Sequence, residues 1–215
     1  KTDLLTIFPI QLMSSFGESI VVPLMNQILL SLLPLPLVRF SRFSSLSAAN
    51  GQFMMFKADT YRKFHPHHFF RHSKVEDIDI ARFYKAKKRK IEVLVSVDGL
   101  SCKMYDDYKS SIEGFSKNVI SFFGQSYIVV SLYLLHMLGA LMFVFFYLDM
   151  IFFVIAVFSV ILNRIFVSLL SKQSVFKNLI LTYLQSLNLG VLIIVSLIKK
   201  ITKSYKWKGR NISWS

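Results

Sequence analysis

The chain has 215 residues, 53% of them hydrophobic, a mean hydropathy of +0.49, and 26 Lys+Arg against 12 Asp+Glu. That is too apolar for an ordinary soluble domain and too basic for a bare membrane bundle. The aromatics sit inside the apolar runs rather than among exposed cations, which excludes a nucleic-acid binder.

The chain begins at Lys1 without a signal-peptide pattern, which reads as an interior start within a longer protein. Residues 1–45 mix apolar runs with Pro23, Pro34 and Pro36 and end in Arg39-Phe40-Ser41-Arg42. Pro34 and Pro36 interrupt the best apolar window, Ile20–Val38, so this part is expected to lie on the membrane as interfacial helices. A buried helix hairpin of a globular domain is the alternative.

Residues 46–125 are expected to form the soluble part. Gly51 precedes a short strand, Gln52–Phe56, and permits close backbone approach. Ala58-Asp59-Thr60-Tyr61 opens a helix that Asp59 or Thr60 is placed to cap. Ser73 and Glu76 have capping-box spacing for the next helix, whose last turn gathers Lys85, Lys87, Lys88, Arg89 and Lys90. Ile91–Val97 reads as a strand, and Tyr108–Phe123 as an amphipathic helix approaching the membrane.

Residues 126–198 hold the apolar segments. From Ser126 to Ile198 the only charged residues are Asp149, Arg164, Lys172 and Lys177. Ile128–Leu148 and Met150–Leu170 are each long enough to cross a ~30 Å core at ~1.5 Å per residue. Phe176–Ile198 is a third apolar segment. The tail, 199–215, has six Lys/Arg and no acid. Three crossings would place that tail outside, against the positive-inside bias, so either one segment is interfacial or re-entrant or Ile20–Val38 also enters the membrane. Two full crossings plus an interfacial or re-entrant third segment are expected.

Four blocks, in order, carry a resemblance. They are Ala48–Tyr61, Ser101–Tyr105, Glu113–Asn118 and the closing Trp207-Lys208-Gly209-Arg210, and they stand around the acidic pair Glu76-Asp77. Together they resemble the C-terminal half of a membrane-bound family 2 glycosyltransferase, of the bacterial type that glycosylates hopanoids, carotenoids or other lipids and is related to ceramide glucosyltransferases. The resemblance implies an α/β fold: the C-terminal half of a GT-A (Rossmann-like) domain, followed by interfacial and transmembrane helices. It implies inverting transfer from a nucleotide sugar to a membrane lipid, in a multi-pass protein of the bacterial inner membrane whose catalytic part faces the cytoplasm.

In such enzymes a carboxylate removes the proton from the acceptor hydroxyl as it attacks the sugar's C1. The family's base falls on Asp77, with Glu76 supporting it. The alternative for this pair is simple capping of a helix. Gly51, Gln52, Lys103 and Lys117 fall at positions implied to bind substrate. Where many members carry a Gln/Arg-x-x-Arg-Trp motif, this chain reads Glu113-Gly114-Phe115-Ser116-Lys117. Lys117 is either a point charge for the donor phosphate or a lysine at lipid headgroups. A second departure lies at Phe64-His65-Pro66-His67, where many relatives have a Gly-Gly turn.

The resemblance also implies a Mg²⁺ or Mn²⁺ ion held by an Asp-x-Asp motif upstream. Asp3 is the only aspartate among residues 1–50, and Asp106-Asp107 comes too late. The expectation is therefore a chain lacking its donor-binding half, inactive and prone to aggregate without that missing N-terminal partner. Other chemistry is thin. Cys102 is alone, and no carboxylate or cysteine completes a metal set with His65, His67, His68 and His72. His136 lacks the second intramembrane histidine that a haem carrier needs; it and Arg164 are flagged as intramembrane polar groups that contact lipid or each other. The non-enzymatic alternative is a membrane scaffold or complex subunit that docks partners through its basic soluble loop.

Overall fold

The computed structural model describes residues 2–33, 35–71, 73, 75–96, 99–202, 206–207 and 210–211, with backbone alone for 36, 206, 207, 210 and 211. The chain forms two compact units. One comprises Lys1–Gln11 and Leu30–Cys102, the other Leu12–Leu29 and Lys103–Ser215.

The chain opens with strands β1 (Leu4–Phe8) and β2 (Ile10–Gln11), then helices α1 (Phe16–Leu32) and α2 (Leu35–Phe40). In the first unit there follow β3 (Met54–Phe56), α3 (Ala58–Phe64), α4 (Pro66–Phe69), α5 (Glu76–Ala86), β4 (Ile91–Val95) and β5 (Ser101–Cys102). Strand β1 is central to a three-stranded sheet. It runs antiparallel to β3, with Leu4 opposite Phe56, and parallel to β4, with Leu4 opposite Ile91. Strands β2 and β5 form a separate parallel pair. Helix α5 turns Ile80, Ala81 and Tyr84 onto this sheet, where they pack with Leu4, Ile91 and Val93. Each fully buried large side chain there contributes about 1.5–3 kcal/mol.

The expected Rossmann-like α/β domain is not what the chain builds. It is 64% helix and 9% strand, and its largest sheet has three strands. The physical reason lies in where the apolar residues fall: the long runs form helices of 17 to 21 residues, while among the described residues no strand exceeds five. A doubly wound sheet needs several fully buried parallel strands covered on both faces. Short blocks of resemblance did not constrain the chain between them.

Smaller expectations also shift. The strand expected over Gln52–Phe56 shortens to β3, and neither Asp59 nor Thr60 caps α3, whose N-cap is Lys57. Ser73 does not complete a capping box with Glu76; its hydroxyl donates to Asp79 Oδ2 at 2.6 Å. Lys85 turns inward, 7% exposed, and donates to the carbonyls of Val38 and Leu46. His65 takes a left-handed backbone (φ 44°), a conformation glycine adopts at least cost. Of the sequence expectations, Val97, His72 and, in the closing signature, Lys208 and Gly209 lie outside the described residues.

The second unit is helical. Its elements after α1 are α6 (Tyr108–Phe115), a 3₁₀ turn at Val119–Phe123, α7 (Tyr127–Tyr147), α8 (Met150–Leu170), α9 (Val175–Ile180) and α10 (Thr182–Ile201). A short antiparallel pair follows, β6 (Lys206–Trp207) and β7 (Arg210–Asn211). Three of these helices, α7, α8 and α10, are long and apolar enough to cross a membrane. The expected amphipathic helix Tyr108–Phe123 divides into α6 and the 3₁₀ turn.

Helices α7 and α8 are a hairpin about the Leu148–Asp149 turn, with the Phe145 and Phe153 rings 5.1 Å apart. Their outer faces are apolar and bare: Ile128 is 73% exposed and Phe146 69%. Helix α10 runs antiparallel to α7, Gly190 against Leu134 and Ser196 Oγ 3.2 Å from Tyr127 Oη. The unit's core is the near-wholly buried middle of α1, Ile20 to Ile28, packed with Ile112, Phe115, Ile120, Leu189 and Leu192.

Candidate functional site

Helix α5 starts without a side-chain cap, so its first amides and the loop beside it are open to a local carboxylate. Asp77 fills that role. Its Oδ2 accepts from Gly51 N–H at 2.9 Å, and its Oδ1 from Ile78 N–H at 2.9 Å. The Gly51 amide is presented by a turn that the side chain of Asn50 organises, its Oδ1 accepting from Gln52 N–H at 2.9 Å, an Asx turn. Buried Thr6, on β1, anchors this turn. Its hydroxyl accepts from Asn50 N–H at 2.9 Å and donates to Phe53 O at 3.0 Å.

The carboxylate is half-buried and has no cationic partner among the described residues. Burial pushes its pKa up, with a further push from neighbouring Glu76, against the pull of the Gly51 and Ile78 amides. Asp79, one turn-position on, is structural: it holds Ser73 and lies 3.8 Å from Arg82. Glu76 is exposed.

A row of amides borders the carboxylate's loop. Gln11 Nε2 donates to Gln52 Oε1 at 3.0 Å, and Asn50 Nδ2 reaches the same oxygen at 3.5 Å. Gln11 Oε1 is buried with no hydrogen-bond partner. An uncharged set of donors and acceptors beside a carboxylate suits hydroxyl-rich ligands, which need directional hydrogen bonds rather than charge.

Of the residues singled out in the sequence, Gly51 and Gln52 come together with Asp77. A Cβ built at Gly51 would sit 3.5 Å from Asp77 Oδ2, an ordinary contact, so space does not demand glycine there. Lys103 and Lys117 belong to the second unit. Lys103 pairs with Asp106 at 2.9 Å, which raises its pKa. Lys117 is half-buried, and burial, with nearby Lys199, lowers its pKa to about 8. Asn50, Gln11 and Thr6 were missed as site residues. The Asn-Gly dipeptide was the available signal for the turn; Gln11 and Thr6 reach it only through tertiary pairing.

His67 Nδ1 lies 3.1 Å from Tyr61 Oη, and no group of three His, Cys, Asp or Glu side chains gathers among the described residues. His136 is exposed on α7, whereas Arg164 is buried against Gln185, so the two are not partners. Comparison with protein-family models, with curated proteins and with solved structures finds no match in any of the three.

Proposed function

We propose that the protein transfers a sugar from a nucleotide donor to the hydroxyl of a membrane lipid, with inversion, and that Asp77 is the general base. The observation that carries this reading is the Asp77 carboxylate itself. It is held by two backbone amides, free of any cation, pushed up by burial, and flanked by Asn50, Gln52 and Gln11. Amide donors fix the carboxylate's position without supplying the positive charge that would weaken it as a base. The three apolar helices supply the second requirement, contact with a lipid phase where the acceptor resides.

A topology goes with the reading, in the cytoplasmic membrane of a bacterium. The α7–α8 hairpin crosses and returns, and α10, which enters and leaves on the side where α7 begins and α8 ends, does not cross. Lys199 Nζ, in its last turn, bonds Ser116 Oγ at 3.2 Å, just ahead of α7. The cationic tail thus stays on the cytoplasmic side with α6, in keeping with the positive-inside bias.

The test is transfer of labelled sugar from nucleotide sugars to extracted membrane lipid, by membranes that express the protein with its natural flanking sequence. Asp77→Asn keeps size and, through its one carbonyl oxygen, the bond from Gly51, gives up the bond from Ile78 and removes the base, so the rate should fall ~10²–10⁴-fold with donor binding little changed. A loss of only a few-fold would leave Asp77 a helix-capping residue and favour the scaffold reading.

A further inference from the structure

Within the second unit a polar network is buried where α8, α9 and α10 meet. Arg164 is 4% exposed and spends one guanidinium nitrogen on Gln185 Oε1, at 2.9 Å. Gln185 Nε2 donates to Asn178 Oδ1 at 3.0 Å and to Ser19 O at 3.0 Å. Asn178 Nδ2 donates to Gln173 Oε1 at 3.0 Å and to Ser168 Oγ at 2.9 Å.

Two atoms of this network are buried without a hydrogen-bond partner, Arg164 Nη2 and Gln173 Nε2. Both are donors. No carboxylate pairs with Arg164 among the described residues, so its charge is uncompensated. A buried guanidinium without a counter-ion is strongly disfavoured, and more so between apolar helices. Unspent donors and a net positive charge together describe a site for an anionic oxygen.

The depth of the site says where the anion comes from. Arg164 lies six residues before the end of α8, about 9 Å along the helix, while Gln173 lies just beyond that end. The network thus descends from the end of the hairpin toward its apolar middle. A ligand that enters must carry an anionic head and tolerate apolar walls.

We propose that Arg164 and Gln173 bind the anionic headgroup, phosphate or carboxylate, of a membrane amphiphile. The guanidinium takes two oxygens of the headgroup through its free edge, Gln173 donates to another, and the acyl or isoprenoid chain lies on the exposed faces of α8 and α10. This site stands independently of Asp77 and of the transfer reaction.

The test uses the full chain in phosphatidylcholine nanodiscs doped with a small fraction of phosphatidic acid, read by native mass spectrometry and by thermal unfolding. Wild type should retain one phosphatidic acid saturably and unfold at higher temperature with it. Arg164→Gln should weaken retention on the order of tenfold or more. Gln173→Leu, which leaves the charge in place, should weaken it several-fold and serves where Arg164→Gln does not fold. Lys172→Gln, an exposed control, should change neither readout. Displacement of the lipid by millimolar inorganic phosphate would support the same anion site with a soluble ligand as its source. Absence of saturable binding of either probe would overturn the proposal. So would retention that survives both Arg164→Gln and Gln173→Leu but is lost in Lys172→Gln, the mark of nonspecific surface attraction.

Discussion

Two carboxylates show how the environment divides similar chemistry into different roles. Asp77 accepts one backbone amide on each oxygen, from Gly51 and Ile78, and its pKa is raised. Glu18 is fully buried, and its Oε2 collects the amides and hydroxyls of Ser14 and Ser15 at 2.8–3.1 Å. Burial pushes its pKa up, but the bonds from Ser15 and Ser14 outweigh that and hold it below the ordinary value. Ser15 returns a bond to Glu18 N–H at 3.2 Å, so Ser15-Phe16-Gly17-Glu18 is a capping box for α1. Glu18→Ala should therefore cost about 1.5–3 kcal/mol in equilibrium unfolding in detergent. A depressed folded-state pKa gives stability that is present above the unfolded value and is lost as pH falls through the folded one. The gap between wild type and Glu18→Gln should accordingly narrow in acid; a gap that widens there would contradict the assignment. That capping box was legible in the sequence and went unread, while the less consequential Ser73–Glu76 spacing was taken up instead. Spacing alone could not separate them, because both fit Ser/Thr-x-x-Glu and only the packed helix shows which serine is in place.

The elements owe their positions to a few close approaches. A Cβ at Gly17, in the first turn of α1, would lie 2.6 Å from Tyr108 Cβ and 3.0 Å from its backbone, which cannot move without shifting α6. A Cβ at Gly114, inside α6, would meet only the hydroxyl end of the Tyr105 ring. That ring, whose phenol is raised to about 12 by burial, packs edge-on against Phe115, but it is the far end of a side chain and yields more readily than the Tyr108 backbone. Gly17→Ala should thus cost about 1–3 kcal/mol. Gly114→Ala should cost less, because helix propensity returns up to about 1 kcal/mol. Equal losses in thermal unfolding would mean that Tyr108 is not held as described. Elements with strong periodicity or long apolar runs, α5, α7 and α8, were legible from the sequence. The sheet was not. Residues Leu4–Phe8, expected to lie in an interfacial helical region, form its central strand, because pairing with Met54–Phe56 and Ile91–Val95 decides a five-residue apolar run that has no preference of its own.

At the scale of the whole molecule, Asp77 belongs to the first unit and the apolar α7–α8 hairpin to the second. The topology is open to direct labelling. In a Cys102→Ser background, cysteines at Lys109, Asp149 and Ile201 report three positions to an impermeant maleimide in sealed vesicles of known orientation. Positions 109 and 201 should label from one side and 149 from the other; 109 and 201 labelling from opposite sides would mean that α10 crosses. The membrane character was plain in composition, because apolar runs flanked by cations have few other uses. The fold around Asp77 was not, because the sequence blocks on which an α/β domain was expected are short and the intervening chain is free to be helical. What remains central is the claim that the ionisation of Asp77 limits transfer. The measurement is the sugar-transfer rate as a function of pH in wild type and Asp77→Asn. Because the pKa of Asp77 is raised, the wild-type rate should fall with decreasing pH through an acid limb set above the ordinary aspartate range, as the base takes up its proton. Asp77→Asn should be slow and flat over that limb. An acid limb that persists unchanged in Asp77→Asn would contradict the account.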